Sequence, residues 1–189
     1  MHNDVLKVLL SKEEINERVT EIGAKITEDY NGTDLVVVSV LKGSVIFVSD
    51  LIRTIDLHTE IDFMVVSSFQ GGVVSTGAVK IMKDIDIPIE NRDVLIVEDI
   101  LDSGKTLEYI TEILKGRDPK SLRICTLLDK PSRRMSSVKA DYVGFVVPDE
   151  FVIGYGLDYE EKYRNLPYIG VLKPCVYSDE HAQQLGLEK

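Results

Sequence analysis

One short run of this chain combines residue types and spacing that could do chemistry. Residues 94–107 read Val-Leu-Ile-Val-Glu-Asp-Ile-Leu-Asp-Ser-Gly-Lys-Thr-Leu. An apolar run ends in Glu98 and Asp99, a third acid follows at Asp102, and Ser103, Gly104, Lys105 and Thr106 come next. The last four open a helical pattern. Free N–H groups and the helix dipole at such a start favour a phosphate. Gly104 permits close backbone approach, and the Thr106 hydroxyl adds a donor. Gly104-Lys105-Thr106 matches the end of a Walker loop, but that motif needs a glycine where Asp99 stands. A nucleotide triphosphatase is therefore rejected. Carboxylates repel phosphate, yet they accept hydrogen bonds from sugar hydroxyls and hold divalent cations directly or through water. The combination suggests a sugar phosphate whose diol faces Glu98 and Asp99. Asp102 alone would make a good helix cap; three acids at one strand end exceed what capping explains.

The elements that must position these residues follow from periodicity. Ser11 with Glu14 forms a capping box, and Ile15, Val19, Ile22, Ile26 and Tyr30 recur at helical spacing until Asn31-Gly32 ends the pattern. Residues 35–41 are β-branched and almost continuously apolar, like a strand buried on both faces. Residues 43–55 have helical spacing. Further strands are predicted at 60–69, near 79–82, and at 93–99, 121–129 and 141–147, with a helix over 103–117. Residues 70–77, rich in Gly, Ser and Thr, read as a mobile loop. Strands alternating with helices predict an α/β fold: an open, mostly parallel sheet with helices on both faces. Strand 93–99 would then end in the ligand crevice of such a sheet. After Pro148 the pattern weakens. The chain is expected to form a single domain over 1–189, its core at about 34–147 and a small hood lobe from about 1–30 and 148–189.

Composition bounds the function. With 189 residues, 44% of them hydrophobic, the chain can bury one core. A formal net charge of −10 argues against a general nucleic-acid binder. The two cysteines, Cys125 and Cys175, have no metal-type spacing, and Cys125 reads as a core residue. The N-terminus is a poor signal peptide and no membrane span is evident, so a cytoplasmic protein is expected. His2, His58 and His181 fall in no motif.

Residues 94–107 resemble the phosphoribosyl-diphosphate signature of the type I phosphoribosyltransferases. Leu-Lys-Gly-Ser at 41–44, Leu-Leu-Asp-Lys-Pro-Ser-Arg-Arg at 127–134, Asp-Glu-Phe-Val-Ile-Gly-Tyr-Gly-Leu-Asp-Tyr at 149–159 and Tyr-Arg-Asn-Leu-Pro-Tyr-Ile-Gly at 163–170 resemble the bacterial hypoxanthine phosphoribosyltransferases, in order and over nearly the whole chain. The resemblance implies transfer of ribose 5-phosphate from phosphoribosyl diphosphate to a 6-oxopurine, hypoxanthine or guanine, with Mg²⁺ as cofactor. It implies Asp102 as general base near N7 of the purine, Glu98 and Asp99 at the ribose diol and metal, and Ser103, Gly104, Lys105 and Thr106 around the 5-phosphate. Lys130 would donate to the 6-oxo group, Phe151 would stack on the purine, and Val152 would contact its edge through backbone. Asp158 is implied near the base and a second metal. Lys42, Gly43 and Arg164 are implied at pyrophosphate, with a Lys42–Gly43 peptide that can be cis. Residues 67–80, including Ser68 and Phe69, match a lid. Relatives often carry Tyr where Phe69 stands, so any role of that hydroxyl is lost. A homodimer or homotetramer is implied.

By periodicity alone, Phe151 and Val152 would be core residues, Lys130 a solvated lysine, and Arg164 a surface ion-pair partner. Arg133 and Arg134 read as a solvated turn or a subunit contact. A competing class is a regulator that keeps this fold and senses phosphoribosyl diphosphate without turning it over. The presence of Asp102, Lys130, Phe151, Asp158 and Arg164 together argues for the enzyme.

Overall fold

The computed structural model describes residues 1–68 and 79–177. The chain opens with β1 (Val5–Leu10) and α1 (Lys12–Asp29), continues through β2 (Leu35–Leu41) and α2 (Val45–Leu51), and adds β3 (Thr59–Ser68) and β4 (Val79–Lys83). The strand bearing the acids is β5 (Asp93–Leu101), followed by α3 (Lys105–Lys115), β6 (Ser121–Asp129) and β7 (Tyr142–Val146). Two short strands, β8 (Val152–Ile153) and β9 (Ile169–Leu172), and a single turn of helix, α4 (Pro174–Tyr177), complete it.

The main sheet has the order β4-β3-β2-β5-β6-β7, parallel throughout except for β4. The continuous apolar character of β2 has a direct cause. Leu35 and Val37 pack with Phe47, Leu51 and the α1 residues Ile15, Val19, Ile22 and Ile26. Val36, Val38 and Val40 face the other way, into a cluster with Leu107, Ile110 and Leu114 of α3. Helices therefore cover both faces, as the α/β reading expects. α1 starts at the expected capping box: Ser11 Oγ accepts from the Glu14 N–H at 3.2 Å, and the Glu14 carboxylate accepts from the Ser11 N–H at 2.8 Å.

From β2 the chain runs outward to β3 and β4, then returns to β5 on the opposite side of β2. The loops leaving β2 and β5 diverge at this reversal, which opens a crevice at their carboxyl ends. Above the main sheet sits an antiparallel sheet, β1-β9-β8. Two expectations need correcting here. Residues 5–10 form a strand that the sequence reading did not assign. The N-terminal helix was expected in the hood with the rest of residues 1–30, but its apolar stripe packs on the main sheet and α2 instead. A stripe of four fully buried aliphatic residues finds enough apolar surface only on the large sheet.

Ile26 is fully buried in that interface. Ile26→Ala is expected to lower the unfolding free energy by about 2–5 kcal/mol, read from the midpoint of urea denaturation.

Candidate active site

Three loops converge at the carboxyl edge of the sheet. Each leaves the end of a parallel strand: Lys42-Gly43 after β2, Asp102-Ser103-Gly104 after β5, and Lys130 after β6. The first is braced from below by Ser39 and Ser44, both fully buried. Their hydroxyls lie 2.6 Å apart, and Ser44 Oγ donates to the Val40 carbonyl at 2.5 Å. The cis peptide in this stretch joins Leu41 to Lys42, one residue earlier than the resemblance implied.

Glu98 and Asp99 keep some surface toward the crevice, but the atoms packed around them remove most of their hydration. Burial, and then the charge of Asp99, push the Glu98 carboxyl well above the usual carboxylate range. Burial raises Asp99 to about 6, opposed by the Ile100 N–H and the positive charge of Arg164. Glu98 Oε2 is sealed from solvent with no hydrogen-bond partner. Asp99 lies so close to Gly43 that a Cβ there would fall 1.6 Å from its Oδ2. Gly156, at φ +102°, presses on the other side: a Cβ there would come 2.0 Å from the Gly43 carbonyl oxygen. The hood backbone thus rests on the β2 loop, which rests on the acid. Arg164 ties the hood to this stack. It donates to the Gly156 carbonyl at 2.7 Å and pairs with Asp158 at 2.9 Å. Lys42 pairs with Glu161 at 3.0 Å.

The phosphate-type loop follows the expected geometry with one difference. α3 starts at Lys105 with Gly104 as its N-cap, in the left-handed region at φ +80°. No side chain caps this helix, so Asp102 is not its cap. A Cβ on Gly104 would meet Ser136 Oγ at 2.1 Å. The glycine is required as much by this neighbouring loop as by any incoming anion. Lys105 is exposed, while Ser103 and Thr106 are half-buried.

Asp102 instead borders a cavity of about 360 Å³, shared with Lys130, Arg133, Phe151, Val152, Leu157, Asp158 and Tyr177. Its Oδ1 is buried and unpartnered; its Oδ2 lies 3.5 Å from Arg133. Lys130 is no solvated lysine. It is 4% exposed, and its Nζ donates to the Glu150 carbonyl at 2.9 Å. An ammonium has three N–H donors, so capacity remains for a ligand. Val152 is buried, whereas Phe151 is 39% exposed, too much for an ordinary core residue.

Sequence reasoning missed Arg134. Its guanidinium donates to the Asp102 carbonyl at 3.0 Å, the Leu101 carbonyl at 3.1 Å and the Val138 carbonyl at 2.9 Å, and it pairs with Asp129. The fork fastens the end of β5 to the end of β6 and holds the Asp102 turn in place. Arg133 reaches both Asp102 and Asp149 at the cavity mouth. The solvated-turn reading therefore fails for Arg134, whereas the Arg133 side chain is 55% exposed. Two adjacent arginines after a strand carry no signal for which one turns inward. Phe69 and the side chain of Ser68 lie outside the described residues.

Among the described residues no three metal-ligating side chains converge as a set. Asp99 and Asp158 are hard oxygen donors, the kind that fits Mg²⁺, which binds through one or two carboxylates and completes its shell with water and substrate phosphates; the unpartnered Glu98 Oε2 is sealed from solvent.

A switch-point crevice with acids on one strand, a helix start beside them and a hood above defines a sugar-phosphate transferase site. The family model for the phosphoribosyl transferase domain matches residues 7–160, and the chain belongs to that family. Within it, a hypoxanthine-guanine phosphoribosyltransferase of Staphylococcus aureus is 60% identical over 179 residues, 95% of this chain and 100% of that protein. A crystal structure of a hypoxanthine phosphoribosyltransferase from Staphylococcus aureus superposes with a TM-score of 0.91 at 60% identity, covering 94% of this chain and 97% of that one. A bifunctional protein TilS/HprT of Listeria innocua is 56% identical over the same share of this chain, which spans 28% of that protein's length. No described helix is long and apolar enough to cross a membrane.

The buried acids make a pH prediction. Asp99 binds its proton more tightly in the folded chain than in the unfolded one, so ionising it costs stability. That contribution is complete below about pH 4 and is lost as pH rises to about 6. Asp99→Asn cannot ionise. In metal-free buffer, the wild type is expected to lose stability relative to Asp99→Asn between about pH 4 and 6, measured by urea denaturation across that range.

Proposed function

We propose that this protein transfers ribose 5-phosphate from phosphoribosyl diphosphate to N9 of hypoxanthine or guanine, yielding IMP or GMP and pyrophosphate in a Mg²⁺-dependent purine-salvage reaction. The observation that carries the reading is the pairing of Asp102 and Lys130 on one cavity. A 6-oxopurine presents O6, an acceptor, and N7, which carries or sheds a proton, along one edge. Lys130 matches the first with spare N–H donors. Asp102 matches the second with a buried carboxylate oxygen that no protein group satisfies. Adenine places an amino group where Lys130 needs an acceptor. Polar pairing of this kind discriminates by several orders of magnitude.

The remaining residues divide the work. The α3 start, with Ser103, Gly104, Lys105 and Thr106, receives the 5-phosphate through free backbone N–H groups and hydroxyls. Glu98 and Asp99 accept from the ribose hydroxyls. Positive charge develops on the sugar as its bond to the leaving group breaks, and the two acids would stabilise it. Lys42, the Gly43 backbone and Arg164 face the leaving pyrophosphate. Asp102 takes the purine proton as general base. Glu98, Asp99 and Asp158 would hold Mg²⁺ with the diphosphate, and the ion would supply charge neutralisation of the leaving group there. By resemblance, Ser68 and Phe69 would serve a lid that excludes water. The reading includes a cytoplasmic homodimer or homotetramer, supported by resemblance to the bacterial relatives.

The test is a Mg²⁺-dependent assay with phosphoribosyl diphosphate and each of hypoxanthine, guanine, xanthine and adenine. Product from a 6-oxopurine and none from adenine is expected. Absence of any 6-oxopurine product sinks the reading in favour of a sensor that keeps the fold, and preference for adenine removes the role of Lys130. Asp102→Asn is expected to lower kcat by roughly 10²–10⁴ while leaving phosphoribosyl diphosphate affinity nearly unchanged. Equal losses in both would make Asp102 a binding residue.

A further inference from the structure

One face of Phe151 is covered by a ring of the protein itself. Tyr177, the last residue of α4, stacks on Phe151 with ring centroids 5.0 Å apart and planes inclined by 23°. That is contact distance for a stacked pair and leaves no room for a third ring between them. Tyr159 meets Phe151 edge-on, at 5.6 Å and 86°. Both Phe151 and Tyr177 line the cavity that holds Asp102 and Lys130, so the Tyr177 ring takes up a stacking position on Phe151 within that cavity.

The anchoring of α4 favours movement of this ring. Val176 packs against Ile153, Leu166 and Leu172 of the hood, and its N–H bonds to the Lys173 carbonyl at 3.0 Å. Tyr177 projects beyond this anchor and is 41% exposed. Its ring can leave Phe151 without opening the hood core.

We propose that Tyr177 is a further base-site residue: before a base binds, its ring occupies a stacking position on Phe151, and the purine displaces it on binding. The proposal rests on the reading that Phe151 stacks the base. The resident ring keeps an exposed aromatic face covered, and each base must displace it, so Tyr177 sets base affinity without touching the phosphoribosyl side.

Calorimetric titration with GMP of the wild type, Tyr177→Ala and Tyr177→Phe tests this. Tyr177→Ala is expected to bind GMP roughly two- to tenfold more tightly, the factor a stacked aromatic pair commonly carries. Tyr177→Phe keeps the stack and should match the wild type, and phosphoribosyl diphosphate affinity should not change. Unchanged or weaker GMP binding by Tyr177→Ala, with the wild type binding GMP normally, overturns displacement and leaves the base site standing. Failure of the wild type to bind GMP overturns both. A second measurement uses the absence of tryptophan from the chain. In Tyr177→Trp the single indole should change its emission when GMP is added and not with phosphoribosyl diphosphate alone; emission indifferent to GMP would also overturn the proposal.

Discussion

The structure is organised around two neighbouring carboxylates held at the end of a buried strand. Glu98 and Asp99 lose hydration there, and their carboxyls are raised accordingly. Burying charge without compensation is costly, and nearby features limit that cost or make use of it. Gly43 has no side chain, so Asp99 can lie against its backbone, and Gly156 has none, so the hood can lie against Gly43. Arg164 brings a positive charge from the hood toward Asp99. Glu98 Oε2 is left without a hydrogen-bond partner, which adds to the cost of ionising that carboxyl.

The same economy governs the Asp102 turn. Arg134 spends its donors on the carbonyls of Leu101, Asp102 and Val138 and on the Asp129 carboxylate. The backbone of the turn is fixed while the Asp102 carboxylate is left uncapped, with Arg133 3.5 Å from its Oδ2. Had Asp102 capped α3, its carboxylate would have been occupied. The cap falls instead to Gly104, whose left-handed backbone leaves the first N–H groups of the helix free. Fixed backbone with a carboxylate not used for capping is the condition for preorganised chemistry.

Much of the fold could be read in the chain because its signals are local. β2 is apolar on both faces except at Ser39, and α1 combines a capping box with a regular stripe. Those patterns do not depend on what the elements pack against. β1 escaped because Leu6 and Val8 are exposed, at 56% and 54%, and among the described residues the strand pairs only with β9, far along the chain. The segment after Pro148 was opaque for a related reason. It turns through left-handed backbone at Tyr155, Glu160, Glu161 and Tyr163 and pairs through isolated bridges, which leave no period to detect.

The sequence by itself determined the class of chemistry. Acids at a strand end followed by Ser-Gly-Lys-Thr, with Asp99 where a Walker glycine would stand, specify a sugar phosphate rather than a triphosphate, because donor type and spacing are properties of the chain. Resemblance then supplied the base side through Lys130 and Phe151. Only the tertiary structure decided which of those groups are free to act. It buried Lys130, uncapped Asp102, turned Arg134 inward and laid Tyr177 on Phe151. Each outcome depends on contact between segments distant in the sequence, and partnership of that kind cannot be read along one strand or helix.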